Sequence, residues 1–245
     1  MKPTIAISVV IPAYNEEQLL SKCLKSLTNQ DFHLPFEIIV VDNNSRDKSN
    51  AIAQSFGVKV IKETNQGVVW ARQKGLLQAQ GEIIAQADAD CYYPSNWLSL
   101  IYKHFSSTEV TAVGGPAAGE LKPYWAYLIY KFSFILIGII YKLTGYVIYL
   151  GGFNLAFKRE KLLQLGGYHT YLDSGGDEWD ILWRLQKIGK VVFEPKAKIK
   201  LSTRRYRVGF VRFWLIHAFY YYVLNFVLAK IFKHRFIYSK AIRNI

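Results

Sequence analysis

The feature that most constrains this chain is a repeated unit: a short, nearly all-apolar run that ends abruptly in a polar cluster. It occurs at Ile5–Ile11 before Pro12-Ala13-Tyr14-Asn15-Glu16, and at Phe36–Val41 before Asp42-Asn43-Asn44-Ser45. It occurs again at Ile83–Ala87 before Asp88-Ala89-Asp90. Such runs are strands covered on both faces, as in a parallel sheet. Helical patterns separate them. Glu16 to Asn29 sets Leu19, Leu20, Cys23, Leu24 and Leu27 on one face. Asn15 is its expected cap, with Glu16 and Glu17 at the positive end. Pro12 is expected to stop the first strand. A helix to about Phe56, a strand at Val58–Ile61 and a helix over Asn65–Ala79 follow. Strand and helix alternate, which means βαβ units. Ligands of such sheets sit beyond the carboxyl ends of the strands, so the three polar clusters should converge on one crevice.

Asp88 and Asp90 are the most chemically pointed of these residues. In extended backbone, positions i and i+2 face the same way, so both carboxylates would address one site. Paired hard oxygens at a strand end suit Mg²⁺ or Mn²⁺ carrying phosphate oxygens. The alternative is a solvated loop whose aspartates cap turns.

At 245 residues the chain is one large α/β domain, or one domain plus an appendage. Its two cysteines, Cys23 and Cys91, argue against a disulfide scaffold and are compatible with a reducing compartment. The N-terminus does not read as a signal peptide, because its apolar run is short and leads straight into a polar cluster. The net charge of +13 is unevenly placed: from Pro195 onward there are twelve Lys or Arg and no Asp or Glu. That asymmetry predicts a polyanionic partner. The same segment is rich in aromatic residues and leucine, which favours an anionic membrane surface over nucleic acid.

Taken in order, the motifs resemble those of family 2 glycosyltransferases of the GT-A fold. Ser8 to Glu16 is similar to the family's opening. Ile39 to Ser45 is similar to its second strand and nucleotide-binding aspartate, and Asn65 to Arg72 to its Asn-x-Gly…Ala-Arg helix. Gly81 to Asp90 resembles the strand carrying its Asp-x-Asp motif. Gly152 to Phe157 and Leu165 to Tyr168 resemble its acceptor-side segment. Gly176 to Leu185 resembles its acidic catalytic helix. The ordered set spans about residues 5 to 207. The resemblance implies a GT-A (Rossmann-like), mostly parallel central sheet flanked by helices, over residues 1–207. Within it lies an apolar helical insertion at about 124–150, and a basic, aromatic, membrane-associated segment follows at 208–245.

The resemblance also implies roles. A nucleotide-diphosphate sugar, with UDP or GDP, would be bound by Pro12, Tyr14, Glu16, Asp42, Arg72, Asp88, Asn154 and Arg205. Asp90, with Asp88, would hold Mn²⁺ or Mg²⁺, which would neutralise charge on the leaving diphosphate. For Asp42 the alternative is a turn cap. For Arg72 it is a structural ion pair. Displacement at the anomeric carbon calls for a carboxylate base. Asp177 and Glu178 are the candidates, the alternative being mere complements to the helix dipole. The family's usual pair is Glu-Asp and here it is Asp-Glu. Aligned on Arg184-Leu185, Glu178 takes the catalytic position, with Asp177 close behind and Asp180 structural.

Tyr124 to Leu143 is strongly apolar, with Lys131 and Lys142 on one stripe. This reads as an interfacial or re-entrant helix, or else as a buried core helix. Phe213 to Ala229 has no charge and is flanked by basic residues, which reads as an anchor with Trp214 and Tyr220–Tyr222 at headgroup level, or as a single span. Thr203-Arg204-Arg205-Tyr206-Arg207 precedes it. The Gln-x-x-Arg-Trp motif of processive members is not found, which favours transfer of one sugar. The Arg pair resembles a segment that approaches the donor diphosphate; phospholipid binding is the alternative. The expectation is therefore an inverting, metal-dependent transferase at the cytoplasmic face of a membrane, peripheral or single-span. It would move a hexose to a lipid-linked or cell-envelope glycan. Alternatives are transfer to a polyprenyl phosphate, a sugar nucleotidyltransferase, and a membrane scaffold with an inactive site. A nucleotidyltransferase needs a Gly-rich triphosphate loop after the first strand, which is not found.

Overall fold

A computed structural model describes residues 4–118, 123–173, 175–202, 204, 210 and 225–234. Arg205, Thr203, Trp214 and Tyr220–Tyr222 lie outside the described residues. The chain runs β1 (Ile7–Ala13), α1 (Leu20–Thr28), β2 (Phe36–Asp42), α2 (Ser49–Ser55), β3 (Lys59–Lys62), α3 (Val68–Gln78) and β4 (Ile83–Gln86). It continues with α4 (Trp97–Tyr102), β5 (Val110–Gly114), β6 (Ala117–Ala118), α5 (Tyr124–Thr144), β7 (Leu155–Lys158), α6 (Arg159–Gln164), α7 (Asp177–Gln186), β8 (Lys190–Phe193), β9 (Ile199–Lys200) and α8 (Asn225–Phe232).

Seven strands form one sheet in the order β3-β2-β1-β4-β7-β5-β8, and β6 pairs with β9. Only β7 runs antiparallel to its neighbours in the large sheet. Its first residue therefore lies at the edge where the other strands end, opposite Gln86 and Gly114. The turn Gly152–Asn154 is thereby delivered to the same edge as the three predicted clusters.

The apolar runs are buried on both faces: Ile7, Val9, Val10, Ile11, Ile39, Val40 and Val41 are essentially inaccessible. Ser8 sits among them without cost because its hydroxyl donates to Glu37 (2.6 Å) and accepts from the Gly81 N–H (2.8 Å). In α3, Gly75 meets Val10, and a Cβ there would overlap the valine side chain. The glycine costs about 1 kcal/mol of helix propensity and allows close approach of α3 to the sheet.

The elements differ from expectation at their ends. Pro12 does not stop β1, which continues to Ala13 in register with Asp42. The Val10 carbonyl accepts from Ala87 on the β4 side and the Ala13 carbonyl from Asn43 on the β2 side. Alternation then turns Pro12 toward β4, whose pairing with β1 has already ended at Val10. Its missing N–H leaves no gap in the ladder. Asn15 does not cap α1. It takes a left-handed conformation (φ 53°), and its side chain accepts from the Arg46 N–H. Helix α3 starts at Val68 because Asn65 and Gly67 are tied to Asn43.

Helix α5 is not a buried core helix. Phe134 and Ile137 are buried, with Phe134 stacked on Phe193, but Phe132, Ile135, Leu136, Ile139 and Leu143 are exposed. Lys131 and Lys142 are exposed and run along one edge of that face. Among the described residues α5 alone is long and apolar enough to cross a membrane. The described part of the C-terminal segment, α8, packs on the domain body. Phe226 makes an edge contact with Trp179 (5.7 Å) and presses on Gly176, whose φ of 88° and lack of a Cβ permit both turn and contact. Lys230 pairs with Asp180.

Candidate active site

The strand ends converge as expected, but Asp88 and Asp90 do not present an extended i, i+2 pair. A turn follows β4, closed by the Cys91 N–H on the Asp88 carbonyl (3.1 Å). The two carboxylates consequently look to different cations. Asp88 faces Arg72 (3.3 Å) and Asp90 faces Arg204 (3.0 Å). Tyr93, fully buried, fixes this turn: its hydroxyl accepts from the Asp88 N–H (2.9 Å) and donates to the Phe153 carbonyl (3.0 Å). Both cysteines lie behind the turn. Cys23 donates to the Asp88 carbonyl (3.4 Å), and burial pushes both thiols up, which makes them packing residues.

Arg72 is the hub. It is 4% exposed, projects from α3 and reaches Asp177 (2.6 Å), Glu178 (3.4 Å) and Asp88 (3.3 Å). Burial by itself would lower the guanidinium, but Asp177, Glu178 and Asp88 together hold it well above its usual value. Burial, and then the Glu178 carboxylate, push Asp177 well above the carboxylate range against the pull of Arg72. Asp177 also hydrogen-bonds Glu178, so the two act as one titrating pair. They occupy the first turn of α7, and the burial of Asp177 against a cation exceeds what a dipole complement requires.

Asp42 is engaged by its own turn: it accepts from the Ser45 N–H (3.0 Å) and from Asn50 (3.3 Å). Pro12 and Tyr14 are half-buried at the end of β1. Glu16 is buried, its N–H donates to Ser49 (2.7 Å), and it takes a two-pronged contact from Arg204 (2.6 and 2.8 Å). Asn154 is buried beneath the crevice. It accepts from Trp97 (2.8 Å) and donates to the carbonyls of Pro116 (3.3 Å) and Ala197 (2.7 Å). The expectation of a direct nucleotide-sugar contact from Asn154 is thus corrected: closing the β7 edge consumes its amide.

Sequence reasoning missed four residues that hold the site. Asn43 binds the backbone at Glu63, Asn65 and Gly67. Tyr93 and Trp97 pack together (4.4 Å) under the Asp88 turn. Asp173 accepts from the Val69 N–H (2.8 Å) and caps α3 from far along the chain. Their signal is tertiary: Tyr93, Trp97 and Asp173 lie in no motif, and Asn43, though inside the Asp42–Ser45 cluster, shows its role only through partners about twenty positions away. Asp180, read as structural, is buried with Arg184 (2.8 Å), His169 (2.9 Å) and Lys230 around it. Burial lowers the His169 ring, partly countered by Asp180.

The chemistry of the donor set fits a hard divalent cation. Two carboxylates close to the end of β4 and the oxygens of a diphosphate are the ligands Mg²⁺ or Mn²⁺ takes in nucleotide sites. Among the described residues no cluster of three or more acidic, His or Cys side chains is poised to hold an ion by itself, so the remaining ligands would come from the nucleotide.

Comparison with known proteins agrees with this fold and these motifs. The sequence profile described as "Glycosyl transferase family 2" matches residues 8–166, and the chain belongs to that family. Its fold is the GT-A fold, and the chain spans only about two fifths of the length of the first of the relatives below. It is 37% identical over 116 residues to glycosyltransferase AglE of Haloferax volcanii, covering 44% of this chain and 38% of that one. It is 24% identical over 230 residues to the glucosyl-dolichyl phosphate glucuronosyltransferase of the same organism, covering 86% and 72%. Among solved structures, mannosyltransferase PcManGT from Pyrobaculum calidifontis, in complex with GDP-Man and Mn²⁺, superposes with a TM-score of 0.64 at 24% identity. That match covers 82% of this chain and 57% of the other. TarS 1-349 of S. aureus in complex with UDP gives 0.61 at 21% identity, covering 82% and 62%.

Proposed function

We propose that this chain is an inverting, metal-dependent hexosyltransferase that uses a UDP or GDP sugar and a lipid-linked or cell-envelope glycan acceptor. The observation that carries the reading is Arg72, which joins a donor-side carboxylate, Asp88, to the carboxylate pair Asp177–Glu178. One buried cation thereby sets the spacing between the leaving group and the base. The acceptor hydroxyl oxygen attacks the anomeric carbon, and its proton passes to the Asp177–Glu178 pair. The bond from that carbon to the diphosphate oxygen breaks, and its electron pair leaves with the diphosphate. Asp90 and Asp88 would hold Mn²⁺ or Mg²⁺, which when bound supplies Lewis-acid stabilisation of that departing charge. Asp42, Pro12 and Tyr14 line the nucleoside end. Arg205 is assigned to the diphosphate by family resemblance alone.

The exposed face of α5, edged by Lys131 and Lys142, supports docking at the anionic cytoplasmic face of a membrane, with no role for nucleic acid. The names of two relatives, the glucuronosyltransferase above and a dolichol-phosphate mannosyltransferase of Pyrococcus furiosus, favour a second reading with a polyprenyl phosphate acceptor. Asp177→Asn and Glu178→Gln separate the two: they abolish transfer to a hydroxyl and spare transfer to an already ionised phosphate. The primary test is calorimetric titration of UDP and of GDP, with and without Mn²⁺, on wild type and Asp90→Ala. Metal-dependent binding lost in Asp90→Ala supports the donor site. Absence of binding by the folded protein leaves an inactive membrane scaffold.

A further inference from the structure

The ends of β1 and β4 each carry a fixed carboxylate, Glu16 and Asp90. Glu16 is held by its N–H on Ser49 and by its carbonyl, which accepts from Leu19 and Leu20. Asp90 belongs to the turn that Tyr93 anchors. Arg204, from far downstream, joins them: Nη1 and Nη2 grip both oxygens of Glu16 (2.8 and 2.6 Å), and Nη2 also meets Oδ2 of Asp90 (3.0 Å). A guanidinium does not deprotonate in a protein, so raising the pH does not release it. With the carboxylates ionised, what competes with Arg204 for Asp90 is another cation. A divalent ion on Oδ2 and Arg204 Nη2 beside the same oxygen would put two positive centres against one carboxylate at short range, which is repulsive.

We propose that Arg204 is a displaceable counter-cation. In the ligand-free protein it neutralises Glu16 and Asp90, and the divalent ion that enters with the nucleotide takes Asp90 from it. Glu16 retains Arg204 through the two-pronged contact, the stronger of its pairings, so Arg204 stays at the mouth of the site. Glu16 becomes a positioning residue for Arg204, and its part in the nucleoside pocket is indirect. A further consequence is that the metal binds poorly alone and well with a nucleotide, whose diphosphate brings the negative charge that offsets Arg204. The inference rests on the donor-site reading above.

The test is calorimetric titration of the full chain with Mn²⁺ alone, then with Mn²⁺ in the presence of saturating UDP or GDP. Thermal melts check that each variant is folded. R204M should bind Mn²⁺ alone at least about tenfold tighter than wild type, and the gain that wild type shows on adding nucleotide should shrink by a similar factor. R204K, which keeps the charge, should stay near wild type. R204Q keeps a donor toward Glu16 and serves if R204M does not fold, with the same tenfold shift expected. Equal or weaker Mn²⁺ binding by folded R204M or R204Q, while wild type still binds Mn²⁺ with nucleotide, overturns the counter-cation role and leaves the donor site standing. Failure of wild type to bind nucleotide with Mn²⁺ overturns both.

Discussion

The two halves of the crevice are built differently. At the ends of β1 and β2 the polar groups are wired by turns and backbone: Asp42 holds Ser45, Ser45 holds Asn15, and Asn15 holds Arg46. Facing them, α3 meets α7 and the segment before it through partners about a hundred positions away, Arg72 with Asp177 and Glu178, and the Val69 N–H with Asp173. The first half keeps its shape through hydrogen bonds that each contribute about 1 kcal/mol. The second depends on a few buried charges, and removing one partner strands another. Chemistry that moves a proton needs the second kind, because burial beside another carboxylate pushes Asp177 up toward the range where a base exchanges its proton.

The comparison can be broken most severely at the base pair. Glu178→Gln or Asp177→Asn should cut transfer to a hydroxyl by about 10²–10⁴-fold, with nucleotide affinity little changed in calorimetry. Because Asp177 is pushed up, the acid limb of kcat/KM should lie above the ordinary carboxylate range, activity falling as pH drops through it. Next is Arg72→Gln. It leaves Asp177 buried without its closest cation and should cost about 3–5 kcal/mol in chemical denaturation. If it melts like wild type, the charge network is not what holds this half together.

Glu194 gives a yardstick for a charge pair outside the Arg72 hub. Burial would raise it, but hydrogen bonds from Lys103, His104 and the Lys196 N–H bring it down to about 2. Its contribution is present above about pH 4.5 and is lost as pH falls toward about 2. We expect a loss on the order of 2 kcal/mol across that window, absent in Glu194→Gln. The smallest stability effect should come from Asp42→Ala, about 1 kcal/mol, as for a lost turn or helix cap. A larger drop in nucleotide affinity than in stability would show that Asp42 touches the donor as well as its turn.

Much of the fold was legible because the signal was local and periodic. The apolar runs became β1, β2 and β4 within a residue or two, and Tyr124–Leu143 became α5 with one added residue. The errors fall where a neighbour from elsewhere intervenes. Asn15 looked like a cap, but Ser45 and Arg46 engage it first. Asn154 looked like a ligand contact, but Trp97, Pro116 and Ala197 claim its amide.

By itself, then, the sequence determined the alternation of strands and helices, the family, and which carboxylates lie at strand ends, because periodicity and short motifs are properties of neighbouring residues. Only the tertiary structure decided which cation faces which carboxylate. Arg72 on Asp177 and Arg204 on Glu16 and Asp90 are pairings between distant segments, set by how α3, α7 and the residues beyond β9 come to lie over one sheet edge. Electrostatic partnership depends on distance in space and on burial, and neither is written in spacing along the chain.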